Sequence, residues 1–201
     1  MKSSSPCSGA RIRATFSALL LATLFVLSSC SKKSDDINTL REQVWKNPKD
    51  AALQVRLGNA YVHDKRFAEA DEAYRTALAI DPELDDASHA LGALAFNRKN
   101  YPEALLFFSK HLEHAPKDSL RLYDIGNVYM QLNELDKAAN YYRQSIDNST
   151  AFVEAHYNLA VCCARTGKLA EARSIYDWLL LKNNYLAVSL QRHLNKEIPG
   201  K

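Results

Sequence analysis

From residue 51 onward, apolar residues fall into pairs of stripes at helical spacing. Leu53, Leu57, Ala60 and Tyr61 share one face of a first helix. Phe67, Ala70, Ala73, Tyr74 and Ala77 share one face of a second. The i, i+3, i+4 recurrence is that of a helix burying one side. Asp81-Pro82 closes the pair, because the residue before proline avoids the α region. The turn inside the pair needs a residue that accepts positive φ; Asn133 and Gly167 suit that place, and Lys65 and Lys99 hold it less comfortably.

The pair returns every 34 residues. Pro48, Pro82 and Pro116 keep that interval, as do Leu57-Gly58, Leu91-Gly92, Ile125-Gly126 and Leu159-Ala160. Ala70, Ala104, Ala138 and Ala172 form a third column, and Tyr74, Phe108, Tyr142 and Tyr176 a fourth. Four columns in one register predict a stack of hairpins, each burying its apolar stripe on the next. The columns resemble the tetratricopeptide repeat, best in Leu57, Gly58, Tyr61, Ala70, Tyr74, Ala77 and Pro82. The resemblance implies an all-α, right-handed superhelical solenoid with repeats at 51–84, 85–118, 119–152 and 153–186. Ala95 and Cys163 stand where Tyr61 and Tyr129 do, His111 replaces a small residue, and Thr150 replaces proline. An isolated helix over Asp36–Lys46, with Ile37, Leu40, Val44 and Trp45, is expected to cap one end. A helix from Tyr185 to Lys196, with Leu186, Leu190 and Leu194 at i, i+4, i+8, is expected to close the other, with Pro199-Gly200-Lys201 as a frayed tail.

The first 29 residues read differently. Lys2, Arg11 and Arg13 precede an apolar run from Ala14 to Leu27, and then comes Ser28-Ser29-Cys30. At ~1.5 Å per residue the run spans roughly 21 Å as a helix, short of the ~30 Å hydrocarbon core, which fits a signal peptide better than a membrane span. Small residues before a cysteine resemble the lipobox of bacterial lipoprotein precursors. That resemblance implies cleavage after Ser29 and lipid attachment at Cys30, the one covalent group expected, with no other cofactor. Ser31, where Asp would retain the protein in the inner membrane, implies the periplasmic face of the outer membrane. Ser31 to Ser34 reaches at most ~14 Å, so the body is expected close to the lipid.

Charge then narrows the partners. The formal charge is +3, and the leader holds three basic residues and no acid, so the rest balances its 23 acidic residues with as many basic ones. A neutral body does not fit nucleic acid, whose binding rests on clustered Lys and Arg. Glycine-rich phosphate loops, nucleophile elbows and metal-type cysteine spacings are absent from the sequence. Adjacent Cys162 and Cys163 point about 100° apart on a helix and read as buried thiols. His111 and His114 share a helix face, but further ligands for a metal are not apparent.

What remains is the concave face that first helices line in this fold. Its inward positions are read as Val55, Asn59, Val62 and His63; His89, Phe96 and Asn97; Tyr123, Asp124, Asn127, Met130 and Gln131; and Tyr157, Asn158, Val161 and Arg165. Amides suit a peptide backbone and aromatics supply contact area, so the expected ligand is an extended peptide or partner helix rather than a small-molecule substrate. Some relatives clamp a terminal carboxylate with two Lys, two Asn and one Arg; Asn127, Asn158 and Arg192 match three of these, but Tyr123 and Val188 occupy the lysine places. The expected function is a membrane-anchored, non-enzymatic adaptor in the bacterial cell envelope. A chaperone-like holder of exported chains is the alternative, and a metal-binding or enzymatic protein the third reading.

Overall fold

The computed structural model describes residues 36–196. The leader, Cys7, Cys30, Ser31 and the tail 197–201 lie outside the described residues, as does the side chain of His114. Ten helices follow in order: α1 Ile37–Lys46, α2 Ala51–His63, α3 Phe67–Ile80, α4 Asp85–Asn97, α5 Tyr101–His114, α6 Ser119–Gln131, α7 Leu135–Asn148, α8 Val153–Arg165, α9 Leu169–Leu181 and α10 Leu186–Lys196. They form a right-handed α-solenoid in which α2–α3, α4–α5, α6–α7 and α8–α9 are the four hairpins. Each helix packs on its neighbours before and after it in the chain.

Local chemistry sets the breaks. Asp50 accepts from Leu53 N at 3.1 Å, and Asp118 accepts from Leu120 N and Arg121 N at 2.9 and 3.1 Å, satisfying donors that a helix start leaves open. Inside each hairpin one residue takes positive φ: Lys65 at 61°, Lys99 at 60°, Asn133 at 61° and Gly167 at 78°. The next residue then donates its N–H five positions back, as Arg66 does to the Tyr61 carbonyl at 2.8 Å and Lys168 does to Cys163 at 2.8 Å. This is the left-handed C-terminal cap. The same turn appears a fifth time between α9 and α10, with Asn183 at φ 50° and Asn184 N donating to Leu179 O at 3.1 Å. Asp-Pro ends α3 at the matching place; here no proline stands to end the helix, and an asparagine does so.

Gly58, Gly92 and Gly126 lie flat beneath the rings of Tyr74, Phe108 and Tyr142. A Cβ on Gly58 would sit 2.5 Å from the Tyr74 ring, and one on Gly126 2.6 Å from the Tyr142 ring; one on Gly92 would likewise strike Phe108. The glycine column therefore makes room for an aromatic ring, rather than for the alanine column alone. Tyr74, Phe108 and Tyr142 are buried to 3% exposure or less. In the fourth hairpin Ala160 replaces glycine, and Tyr176 is only half-buried. The alanines at 70, 104, 138 and 172 are fully enclosed.

The two ends differ from the middle. On α1 Leu40 is buried while Trp45 is 80% exposed, so the tryptophan takes no part in the cap's inner stripe. On α10 Ala187, Leu190 and Leu194 are buried, whereas its Val188, together with Tyr185 just before it and Leu181 at the end of α9, faces outward. Ion pairs stitch adjacent hairpins along the surface: Arg75 to Glu103, Arg98 to Asp71, Lys168 to Asp136 and Arg143 to Glu171. Among the described residues no helix is long and apolar enough to cross a membrane.

Two substitutions separate ring contact from backbone strain. Gly126→Ala should lower stability by about 1–3 kcal/mol through overpacking against Tyr142, despite alanine's better helix propensity. Gly167→Ala meets no atom within 4 Å, so its loss of about 1–2 kcal/mol should be pure backbone strain. Urea denaturation of both variants checks the pair, with Ala160→Gly as a control that should lose about 1–2 kcal/mol from helix propensity and one buried methyl, with no ring clash.

Candidate functional site: the concave groove

Helices α2, α4, α6 and α8 supply the inner surface, and its chemistry begins in the core. The Tyr74 hydroxyl donates to Asn59 Oδ1 at 2.6 Å, and the Tyr142 hydroxyl to Asn127 Oδ1 at 2.8 Å. The pairs lie 15 residues apart, joining the two helices of one hairpin. In the second hairpin both members change together: Phe108 replaces tyrosine and Ala93 replaces asparagine, so neither polar group is left over. Burial pushes the Tyr74 phenol up to about 12 and that of Tyr142 higher still. Both therefore stay protonated donors, and they commit the amide oxygens. The donors that Asn59 and Asn127 offer are their nitrogens.

A second link crosses hairpins. Asn158 Nδ2 donates to Asn127 Oδ1 at 2.9 Å, to the Tyr123 hydroxyl at 3.2 Å and to the Tyr142 hydroxyl at 3.4 Å. Asn158 thus spends its nitrogen internally and presents its oxygen. Tyr123 packs between Tyr142 and Phe152, with ring centroids 5.7 and 4.8 Å away. Asn127 and Asn158 are accordingly fixed relative to each other before any ligand arrives.

Three clefts open along the groove. The first, between α1 and α2, is lined by Asn59, His63, Arg56, Arg66, Asp36 and Asp64 among others. The second, between α4 and α6, holds His89, Phe96, Asn97, Asp124 and Asn127, with Ala93 and the ring of Phe108 as floor. His89 Nε2 lies 3.1 Å from Asp124 Oδ2, which also faces Arg121 Nη1 at 3.5 Å. The third is lined by Met130, Tyr157, Asn158, Val161, Arg165 and His193.

Most of the residues expected on the inner surface meet in these clefts, with exceptions. Val55 is buried in the core beside Leu40 and Leu57 and is not a groove residue; its helix turns that position toward α1. Gln131 and Val62 are exposed and, like the packed Tyr123, line none of the three clefts. Arg192 stands near Tyr157, whose phenol its charge pulls down against the larger upward push of burial, but the cleft wall itself is its neighbour His193. No repeat column extends to residue 193, so only the position of α10 reveals it.

The other candidates resolve into packing. Both nitrogens of His111 face carboxylates, Asp85 at 2.7 Å and Asp118 at 2.8 Å, joining α4, α5 and the start of α6. His156 stacks on Trp178 with centroids 4.0 Å apart. Cys162 and Cys163 are buried free thiols, and burial pushes them up to about 11 and about 12.

Comparison with known proteins agrees with this geometry. The family model of the tetratricopeptide repeat matches residues 51–84 and again 123–183. Among curated relatives, the photosystem I assembly protein Ycf3 of Acaryochloris marina is 32% identical over 115 residues, covering 57% of this chain and 61% of that protein. The first relatives found are much longer, and the chain spans 11–20% of their length at 26–27% identity. Among solved structures, MamA of Desulfovibrio magneticus RS-1 superposes with a TM-score of 0.69 at 19% identity, over 87% of this chain and 95% of that one. YrrB, described as a tetratricopeptide-repeat protein with an unusual peptide-binding site, superposes with 0.63 at 19% identity, over 81% and 94%. Two stretches of the chain thus match tetratricopeptide-repeat models, and the described residues share the α-solenoid fold of those solved structures, a fold consistent with a protein-interaction scaffold.

Asn127→Ala should cost about 1–3 kcal/mol in chemical denaturation, because it strips the buried Tyr142 hydroxyl of its acceptor. The thiols give a pH test. The native state holds both protons while the unfolded chain releases them from about pH 9 upward, so above that pH their linkage lowers stability as pH rises. In a chain with Cys7→Ser and Cys30→Ser, Ellman's reagent at pH 8 should find no reactive thiol until denaturant is added.

Proposed function

We propose that this chain is a non-enzymatic adaptor that holds a protein partner in its concave groove, tethered to a bacterial envelope membrane by lipid on Cys30. The observation that carries the groove reading is the row of pre-ordered amides flanked by aromatic clefts. Asn59 and Asn127 offer donors and Asn158 an acceptor, at a surface already paid for by the core tyrosines. An extended peptide needs both, because each of its units carries one N–H and one C=O. Residues Phe96, Tyr157 and Met130 add apolar area between the amides. The described peptide-binding site of YrrB and the assembly role in the name of Ycf3 are of the same kind.

The tether rests on the leader and its Ser28-Ser29-Cys30 sequence, and Ser31 favours the outer membrane. With two acyl chains or more such an anchor holds stably. Partner recruitment at a membrane surface follows without any enzymatic step.

Site-specific photo-crosslinking in cells tests the groove. A crosslinker at position 157 or 97 should capture one partner stoichiometrically, and one at the convex, exposed position 106 should not. Capture from 106 alone would overturn the groove reading. Cys30→Ser should move the protein from the membrane to the soluble fraction; unchanged membrane association would overturn the lipid tether.

A further inference from the structure

The third cleft differs from the other two in the sign of its charge. It is an open cleft of about 490 Å³, with room for a large side chain and its neighbours. Met130, Val161 and Tyr157 give it apolar lining, and Asn158, Arg165 and the His193 wall give it polar lining. The wall exists because α10 stands against α8: the rings of Tyr157 and His193 meet edge to face, centroids 6.4 Å apart.

The cations there are uncommitted to acids. Arg165 donates from Nη2 to Asn133 Oδ1 at 2.6 Å, a neutral partner. Arg192 adjoins Tyr157, and neither arginine pairs with a carboxylate among the described residues. Arg66, Arg75, Arg98, Arg121 and Arg143 each do so elsewhere. Of the acids nearby, Glu134 pairs with Lys137, Asp136 with Lys168, and Asp124 with His89 and Arg121, while Glu154, one turn before Tyr157, acts on Tyr123. The described part of α10 contains no Asp or Glu. By contrast, the first cleft sets Asp36 and Asp64 against Arg56 and Arg66 and carries no net sign.

We propose that the third cleft selects a partner segment in which a bulky apolar side chain is followed closely by an acidic one. The apolar group sits on Met130, Val161 and Tyr157, and the carboxylate meets the guanidinium of Arg165, with Arg192 adding to the local positive field. A guanidinium facing a carboxylate is a charge-assisted contact, stronger than a neutral hydrogen bond. The inference rests on the groove reading and adds to it the chemistry of the segment held.

Twelve-residue peptides carrying fluorescein at the N-terminus test it by fluorescence anisotropy against the full chain. Three are amidated and alternate Leu with Glu, Gln or Lys; a fourth is the Leu–Gln peptide with a free terminal carboxylate. The Leu–Glu peptide should bind about ten-fold more tightly than amidated Leu–Gln, with Leu–Lys weakest. Arg165→Glu, a change on the exposed surface, should abolish that order while helical circular dichroism is unchanged. Equal affinity for amidated Leu–Glu and Leu–Gln overturns the selection for acidic side chains and leaves the groove reading standing. A gain confined to the free-carboxylate peptide overturns it in favour of a chain terminus. Failure of all four peptides to bind, or binding that Tyr157→Ala leaves untouched, counts against the groove reading as well.

Discussion

The contact on which the rest depends is an aromatic ring lying on bare backbone. At Gly58, Gly92 and Gly126 the first helix of a hairpin has no side chain, and the ring from the second helix settles onto it. That contact fixes how closely the two helices approach. With the approach fixed, the enclosed alanines at 70, 104 and 138 fall into place and the next hairpin finds a surface of constant shape. Repetition at one interval then yields a solenoid whose curvature follows from nearest-neighbour packing. Where the glycine becomes Ala160, the ring of Tyr176 is left half-buried, and that hairpin is followed by the closing helix rather than by another copy.

The same rings reach through the hairpin to the opposite surface. A tyrosine that packs on glycine with its ring places its hydroxyl at the root of a groove amide. Core packing and ligand chemistry are thus two ends of one side chain. The groove amides need no ligand to be ordered, which lowers the entropy lost when a peptide docks. Cross-hairpin bonds from Asn158 carry that order from one repeat into the next.

The repeat columns in the sequence contain most of this fold, because each column answers a local steric demand that recurs. Positive φ at Asn133 and Gly167, and even at Lys65 and Lys99, follows from register alone. The placement of Asn59, His89 and Asn158 in the clefts is legible for the same reason. What the columns leave out is whatever breaks or escapes the period. Val55 occupies a groove place in the pattern but is covered by α1, which belongs to no repeat. His193 enters the groove from α10, likewise outside the period. The turn depends on Asn183, and the bridging of Asp85 and Asp118 depends on Asp85 and His111, residues that the other copies lack. The leader's chemistry is read from sequence alone.

The pairing of positions 15 apart has a bearing on how this groove changes over generations. Asn59 and Asn127 each sit with a tyrosine, and Ala93 sits with a phenylalanine. Losing the asparagine strands a buried tyrosine hydroxyl, so intermediates on that route are penalised; in the fourth hairpin, where Val161 stands opposite Tyr176, the ring is only half-buried and the constraint lapses. Recognition in such a protein drifts by coordinated double steps, and its binding preferences are inherited as hidden couplets of the interior rather than as freely editable letters on the surface.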